Sequence, residues 1–182
     1  MPVRALGGAM PGTVFLEGER VTLTTVHADD HEFLERIHND PGNREQAGVP
    51  NPWGPRTVST VLEDDESEVL LVCDDAEPVG AVFFQDRDPF ARTAELGYFV
   101  APEAHGEGYA TAGAGLMVEH GFADYDLARI SAEVMAGNEA SMRVLEKLGF
   151  EQEGVGRAEE YANGERVDMH HFGLLREEWE GV

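Results

Sequence analysis

Asn138-Glu139-Ala140-Ser141-Met142-Arg143-Val144-Leu145-Glu146-Lys147-Leu148-Gly149-Phe150 reads as a helix with both of its ends marked. Asn138 is a helix-start residue; Ala140, Val144 and Leu148 recur at helical spacing as an apolar stripe; Gly149 is a residue type that closes helices. The spacing predicts a helix over 139–148. Upstream, residues 129–134 have the pattern of a strand. Asn138 and Ser141 are therefore expected on an exposed first turn just after a parallel strand, at the sheet edge where α/β folds tend to bind ligands.

One step further out stands His105-Gly106-Glu107-Gly108-Tyr109-Ala110, between a strand expected over 93–100 and a helix expected over 109–122. Backbone N–H groups at a helix start, together with the helix dipole, hold anions, and the two glycines let the main chain approach a pyrophosphate. A short glycine-rich turn before a helix is by itself more often only a turn. It lacks the Gly-Lys-Ser/Thr of a nucleotide-binding loop and the three glycines of a dinucleotide fingerprint. An anion site of another kind remains.

The order strand, helix, strand, helix in this region implies a parallel crossover. The flanks look antiparallel. A strand is expected over 20–26, then a helix starting at Asp29 and Asp30, with Phe33, Leu34 and Ile37 on one face. Asn39-Asp40-Pro41-Gly42 reads as a turn cluster ending that helix. Residues 43–55 are expected to be irregular, a binding or lid loop containing Pro50, Pro52, Trp53, Gly54 and Pro55, since Trp53 is costly to expose without a partner. A short helix over 58–62 is expected next, followed by strands over 68–73 and 79–84 joined as a hairpin. The chain closes with strands over 150–157 and 166–175, connected through the tight-turn pair Asn163-Gly164. Residues 1–13 read as a tail and 14–182 as one α/β domain with a mixed sheet.

The 182 residues carry 13 Lys+Arg against 36 Asp+Glu, a formal net charge of -23, with a sequence pI near 4.4. This is room for one domain, and 42% hydrophobic residues is ordinary for a globular chain. So acidic a field repels nucleic-acid phosphates and anionic lipid, and no local basic patch offsets it; neither partner is expected. Lys147 is the single lysine, and the acids are spread along the chain, the surface expected of a protein from a halophilic host, where molar salt shrinks the Debye length to about 3 Å. Cys73 is alone in an apolar run and is expected buried, without a disulfide. No signal peptide and no membrane-length apolar run are read, which points to the cytoplasm.

Taken together, the segments 105–110 and 138–150 resemble the GCN5-related N-acetyltransferase (GNAT) superfamily, and more narrowly its RimJ/RimL type, the ribosomal-protein-alanine acetyltransferases. Leu16-Glu17-Gly18-Glu19-Arg20-Val21-Thr22-Leu23, Glu95-Leu96-Gly97-Tyr98-Phe99-Val100, Gly164-Glu165-Arg166-Val167-Asp168 and Leu174-Leu175-Arg176-Glu177-Glu178-Trp179 are similar to that type as well, so the resemblance runs over about residues 15–179. It implies a mixed, mostly antiparallel sheet with a central parallel pair splayed at the coenzyme site and helices on both faces. It implies acetyl-CoA as cosubstrate and direct transfer to a primary amine, either a protein N-terminal alanine or serine or a small amine, by a monomer or homodimer.

Carried over residue by residue, the resemblance makes His105, Gly106, Glu107, Gly108, Tyr109 and Ala110 the pyrophosphate loop and sets Asn138 and Ser141 against the coenzyme arm. Phe99 and Val100 would offer a backbone N–H to the developing oxyanion. His105 departs from the usual Gln or Arg, and Glu107 brings a negative charge to a loop that is often basic; Arg143 and Lys147 are the nearest compensation. An alkylammonium must lose a proton before it attacks, and Glu95, sharing a face with Gly97 and Phe99, is the expected base. Gly97 suggests open space beside it. The tyrosine that many relatives use to protonate the leaving thiolate is replaced by Leu145. Ser141 is the expected substitute, with Tyr98 and Tyr161 unplaced. No metal is expected: His27, His31 and His38 make no ligand pattern, while His170 or His171 is a possible wall of the acceptor site. A noncatalytic acyl-CoA-binding or sensor domain of the same fold is the competing reading.

Overall fold

Eight strands form one sheet in the order β1-β2-β3-β4-β5-β6-β8-β7, in a computed structural model that describes residues 12–48, 51–162 and 164–181. The strands are β1 (Val14–Glu17), β2 (Thr22–Thr25), β3 (Glu68–Asp74), β4 (Glu77–Asp88), β5 (Thr93–Val100), β6 (Arg129–Met135), β7 (Glu151–Ala162) and β8 (Glu165–Leu175). The helices are α1 (His31–Asn39), α2 (Pro41–Ala47), α3 (Pro55–Leu62), α4 (Tyr109–Ala123) and α5 (Glu139–Lys147). Every neighbouring pair is antiparallel except β5–β6, whose ladder runs only from Thr93↔Arg129 to Glu95↔Ser131. Beyond Glu95 the two central strands part, as the resemblance implies. No helix among the described residues is long and apolar enough to cross a membrane.

Helices cover both faces. On one, α4 and α5 bury Met117, Val118, Phe122, Leu145 and Leu148 against Val82, Phe84 and Ile130. On the other, Leu34, Ile37 and Val58 of α1 and α3 close over Leu71, Cys73 and Ala81. Each such side chain contributes about 1.5–3 kcal/mol of burial. The helix α4 lies close on the sheet because it presents glycine there: a Cβ on Gly113 would stand 2.6 Å from Val72 Cγ2, and one on Gly121 2.8 Å from Phe84 Cζ. Cys73 is buried and free, as its apolar context suggests.

The largest departure from the sequence reading is α2, where an irregular loop is expected. Asp40 is no simple turn residue: its Oδ1 accepts from Asn43 N at 3.0 Å, Pro41 takes the first helical turn where no N–H is needed, and Gly48 closes the helix at φ 64°. Pro55 likewise starts α3 three residues ahead of the expected 58. The edge strand β1 was not anticipated. It carries little alternation of its own and is held by pairing with β2. Both β4 and β7 run beyond their expected limits, carried by long ladders with β5 and β8. In α5 the buried residue is Leu145, joined by Leu148 at the C-cap, with Ala140 exposed rather than part of a core stripe. The tail as far as Pro11, and Asn163 of the expected turn, lie outside the described residues.

Candidate functional site

Two chambers open where β5 and β6 separate. One, of about 360 Å³, lies beneath α1–α3. The other, of about 330 Å³, lies between the start of α4 and α5. Gln46, Ala47, Tyr98, Phe99, Asn138 and Ser141 belong to the walls of both, so the chambers meet through the splayed sheet.

The second chamber is built from main chain. His105, Gly106, Gly108, Tyr109 and Ala110 line it, and Gly108 caps α4 at φ 85° with Gly106 at φ 82° just before it. Those are left-handed conformations that a side chain rarely tolerates. The first-turn N–H groups of α4 have no partner within the helix, and the residues that carry them, Tyr109, Ala110 and Thr111, line the same cleft as Arg143 and Lys147 of α5. Amides, a helix start and two cations make a donor set that fits a pyrophosphate. Glu107 is the exception among the loop residues. It is absent from the chamber wall, and its carboxylate stands 3.9 Å from Arg20, so its charge is turned away from the cleft. Arg20 also lies over the Tyr109 ring, 4.9 Å from its centre, while the Tyr109 hydroxyl donates to Asp74. The Tyr109 phenol is thereby occupied, leaving its main chain to the cleft.

Phe99 and Val100 line this chamber at the end of β5. The Val100 carbonyl is held from two sides, by the buried Asn43 Nδ2 at 3.1 Å and by His105 Nε2 at 3.0 Å. Asn138 caps α5, its Oδ1 accepting from Ser141 N at 3.1 Å, while its Nδ2 donates to the Gln46 carbonyl at 3.4 Å. The same residue thus starts α5 and ties α2 across the junction. The Tyr98 hydroxyl donates to the Ser141 carbonyl at 3.1 Å, and burial pushes its phenol up to about 12 despite that bond. A protonated phenol therefore sits at the junction at any physiological pH.

The first chamber is built from side chains. Glu95 is half-buried in its wall and its Oε1 accepts from Gln85 Nε2 at 2.7 Å. Burial pushes its carboxyl above the usual range; the Gln85 bond opposes this, Glu133 and Asp86 add to it, and His171 opposes it. The space expected beside Gly97 is filled: a Cβ there would stand 2.3 Å from Phe83 Cε2 and Cζ, so the glycine admits a ring, not a ligand. From Phe83 a row of rings continues, to Phe99 at 6.0 Å, then His38 at 5.4 Å, then Trp53 stacked on His38 at 3.9 Å and 15°. Burial holds the His38 imidazole down near 4, with Asn39 opposing and Arg44 adding, so the ring is neutral. Trp53 has found the partner its sequence context asked for. Its backbone is clamped as well, its N–H donating to Asn39 Oδ1 and its carbonyl accepting from Asn39 Nδ2, each at 2.8 Å.

Neither His170 nor His171 reaches a chamber wall. His171 bridges Glu133 at 3.2 Å and Glu159 at 2.8 Å, and the carboxylates, Glu159 foremost, raise its pKa. Tyr161 is 60% exposed on β7, away from both chambers, whereas Tyr98 lies at their junction. Among the described residues no cluster of three or more metal-ligating side chains occurs. Sequence reasoning missed Arg20, Asn43, Gln46, His38 and Phe83. An Asp-Pro pair as helix start would have revealed α2, and with it Asn43 and Gln46; the others carry no local signal.

The Acetyltransferase (GNAT) domain family matches residues 20–151. The chain is 36% identical over 107 residues to the putative ribosomal N-acetyltransferase YdaF of Bacillus subtilis, a match covering 59% of this chain and only 58% of YdaF. It is 33% identical over 155 residues to the spermidine N(1)-acetyltransferase of Escherichia coli, covering 80% of each. The fold superposes on spermidine N-acetyltransferase from Vibrio cholerae in complex with CoA and spermine with a TM-score of 0.82 at 20% identity, covering 88% of this chain and 98% of that one.

Proposed function

We propose, from the premise that this chain belongs to the GNAT acetyltransferase family, that it transfers the acetyl group of acetyl-CoA directly to a primary amine. The observation that carries this is the pair of chambers sharing walls through the splay of β5 and β6. One has the donor set for a phosphate-bearing coenzyme arm. The other holds a half-buried carboxylate with a raised pKa.

In this reading Gly106, Gly108, Tyr109 and Ala110 bind pyrophosphate through main-chain N–H groups, with His105, Arg143 and Lys147 alongside, and Asn138 faces the coenzyme arm. Glu95 accepts the proton that the attacking ammonium must lose. The amine nitrogen forms the new C–N bond at the acetyl carbon, the C–S bond breaks, and a backbone N–H near Phe99 or Val100 meets the carbonyl oxygen as its charge grows. The departing thiolate takes a proton from Ser141 or from Tyr98, whose phenol is protonated and hydrogen-bonded to the Ser141 carbonyl. Comparing kcat of Ser141→Ala with that of Tyr98→Phe distinguishes the two. The RimJ/RimL type belongs to this proposal, with a protein N-terminus or a small amine as acceptor.

A second reading, a noncatalytic acyl-CoA-binding or sensor domain, draws on Leu145, which is fully buried in the first chamber's wall at the position where the resemblance implies a tyrosine. The deciding experiment pairs acetyl-CoA thermal shift with mass-spectrometric screening of amine and peptide acceptors. A shift with acetylated product supports the transferase, a shift without product on any acceptor supports the sensor, and no shift refutes the coenzyme site.

A further inference from the structure

The side-chain chamber has a composition that bears on what carries the amine. Glu95, Gly97 and Phe99 alternate along one face of β5, and Gln85 and Phe83 are their cross-strand partners, so the Phe83 ring over Gly97 is the immediate neighbour of the Glu95 position. From there the rings run without interruption, Phe83 to Phe99 to His38 to Trp53. Leu34, Ile37, Val61 and Val69 continue the wall. The charged side chains in it are Glu95 and Glu133, and Glu133 is already engaged by His171 at 3.2 Å. The imidazole in the row is 3% exposed and uncharged, so it braces the Trp53 and Phe99 rings from behind and brings no cation to the wall.

We propose that the acceptor is a small primary amine on an apolar, ring-bearing body, its nitrogen at Glu95 and its body along the ring row Phe83–Phe99–His38–Trp53. The proposal rests on the transferase reading above and names its substrate class. A polyamine puts further ammonium groups several ångströms from the first; beyond the Glu95–Glu133 end, each meets along this row a neutral ring or an aliphatic side chain with no carboxylate to replace its water. An aryl group of the same length buries its surface there, and rings in offset or edge-to-face contact add to the gain. A chamber of about 360 Å³ is of the size that takes a compact small molecule.

The experiment uses phenethylamine, spermidine and an alanine-starting peptide as acceptors with saturating acetyl-CoA. Burial of one ring predicts a kcat/KM for phenethylamine about tenfold or more above that for spermidine. Trp53→Ala should raise KM for phenethylamine about tenfold with kcat nearly unchanged, and Trp53→Phe should restore most of it. Binding is read separately from turnover in a Trp179→Phe background, where Trp53 is the one remaining tryptophan and its emission should change on adding phenethylamine. A preference for spermidine or for the peptide, or a KM indifferent to Trp53→Ala, overturns the ring-bearing acceptor while leaving the transferase intact. Saturable quenching by phenethylamine with no acetylation of any acceptor upholds the chamber's preference and instead overturns the transferase reading.

Discussion

The two chambers meet at the same six residues, yet they are made of different material. The chamber at the start of α4 draws mainly on main chain: helix-start amides, two left-handed glycines and a cap, with Arg143 and Lys147 beside them. The chamber beneath α1–α3 is side chain: rings from α1, the segment before α3, β4 and β5 brought together across more than sixty positions by tertiary packing. Main-chain recognition needs a conformation, and a few residue types at short spacing encode it. Side-chain recognition needs an address for each ring, which the whole fold supplies. The first is consequently tolerant of the acidic surface around it, and in the proposed reading the second selects the acceptor.

The comparison breaks hardest at Glu95. Glu95→Gln should lower kcat by about a hundredfold to ten-thousandfold in steady-state assays while leaving acetyl-CoA affinity by calorimetry unchanged. With the carboxyl raised above its ordinary range by burial, wild-type activity should fall as pH drops through that raised value, and the variant's residual rate should lose this limb. The sign for stability is the reverse. A carboxylate whose folded pKa is raised costs stability once pH exceeds the unfolded value, so Glu95→Gln should melt higher than wild type near neutrality and at the same temperature in acid.

Next in size is the other chamber. Gly108→Val places a β-branched residue at φ 85°, costing about 1–2 kcal/mol of strain and reducing the thermal shift that acetyl-CoA produces. Phenethylamine quenching of Trp53 should survive it. Gly97→Ala sharpens the contrast from the acceptor side: displacing the Phe83 ring should cost about 1–3 kcal/mol in urea unfolding and raise the acceptor KM, with coenzyme affinity retained.

The smallest effect is long-range. A net charge of -23 opposes a coenzyme carrying several phosphate charges, while contact hydrogen bonds to main-chain amides survive screening. Acetyl-CoA affinity should therefore rise as salt is added, the opposite of the trend at a basic site. A falling affinity would show that Arg20, Arg143 and Lys147 dominate over the amides. Equal stability and solubility in dilute and molar salt would remove the halophilic reading of the acidity.

What the amino-acid sequence determined by itself is the local grammar: the cap at Asn138, the glycines of 105–110, the strand over 93–100 and the helices they bound. Each of these depends on residues within one or two turns of one another. From these and the resemblance the parallel crossover was legible, and 105–110 and Glu95 stood out as candidates, which the structure, Glu107 excepted, places at the walls of the two chambers. Tertiary structure alone decided the rest. Glu107 turns to Arg20 because a distant guanidinium is there to receive it. His38 became a neutral ring because the packing of α1 under α3 buries it, with Trp53 stacked on its face. Gly97, expected to leave space for substrate, instead admits Phe83 from the next strand. A ring, a charge or a gap acquires its meaning from what packs against it, and those neighbours lie far away along the chain.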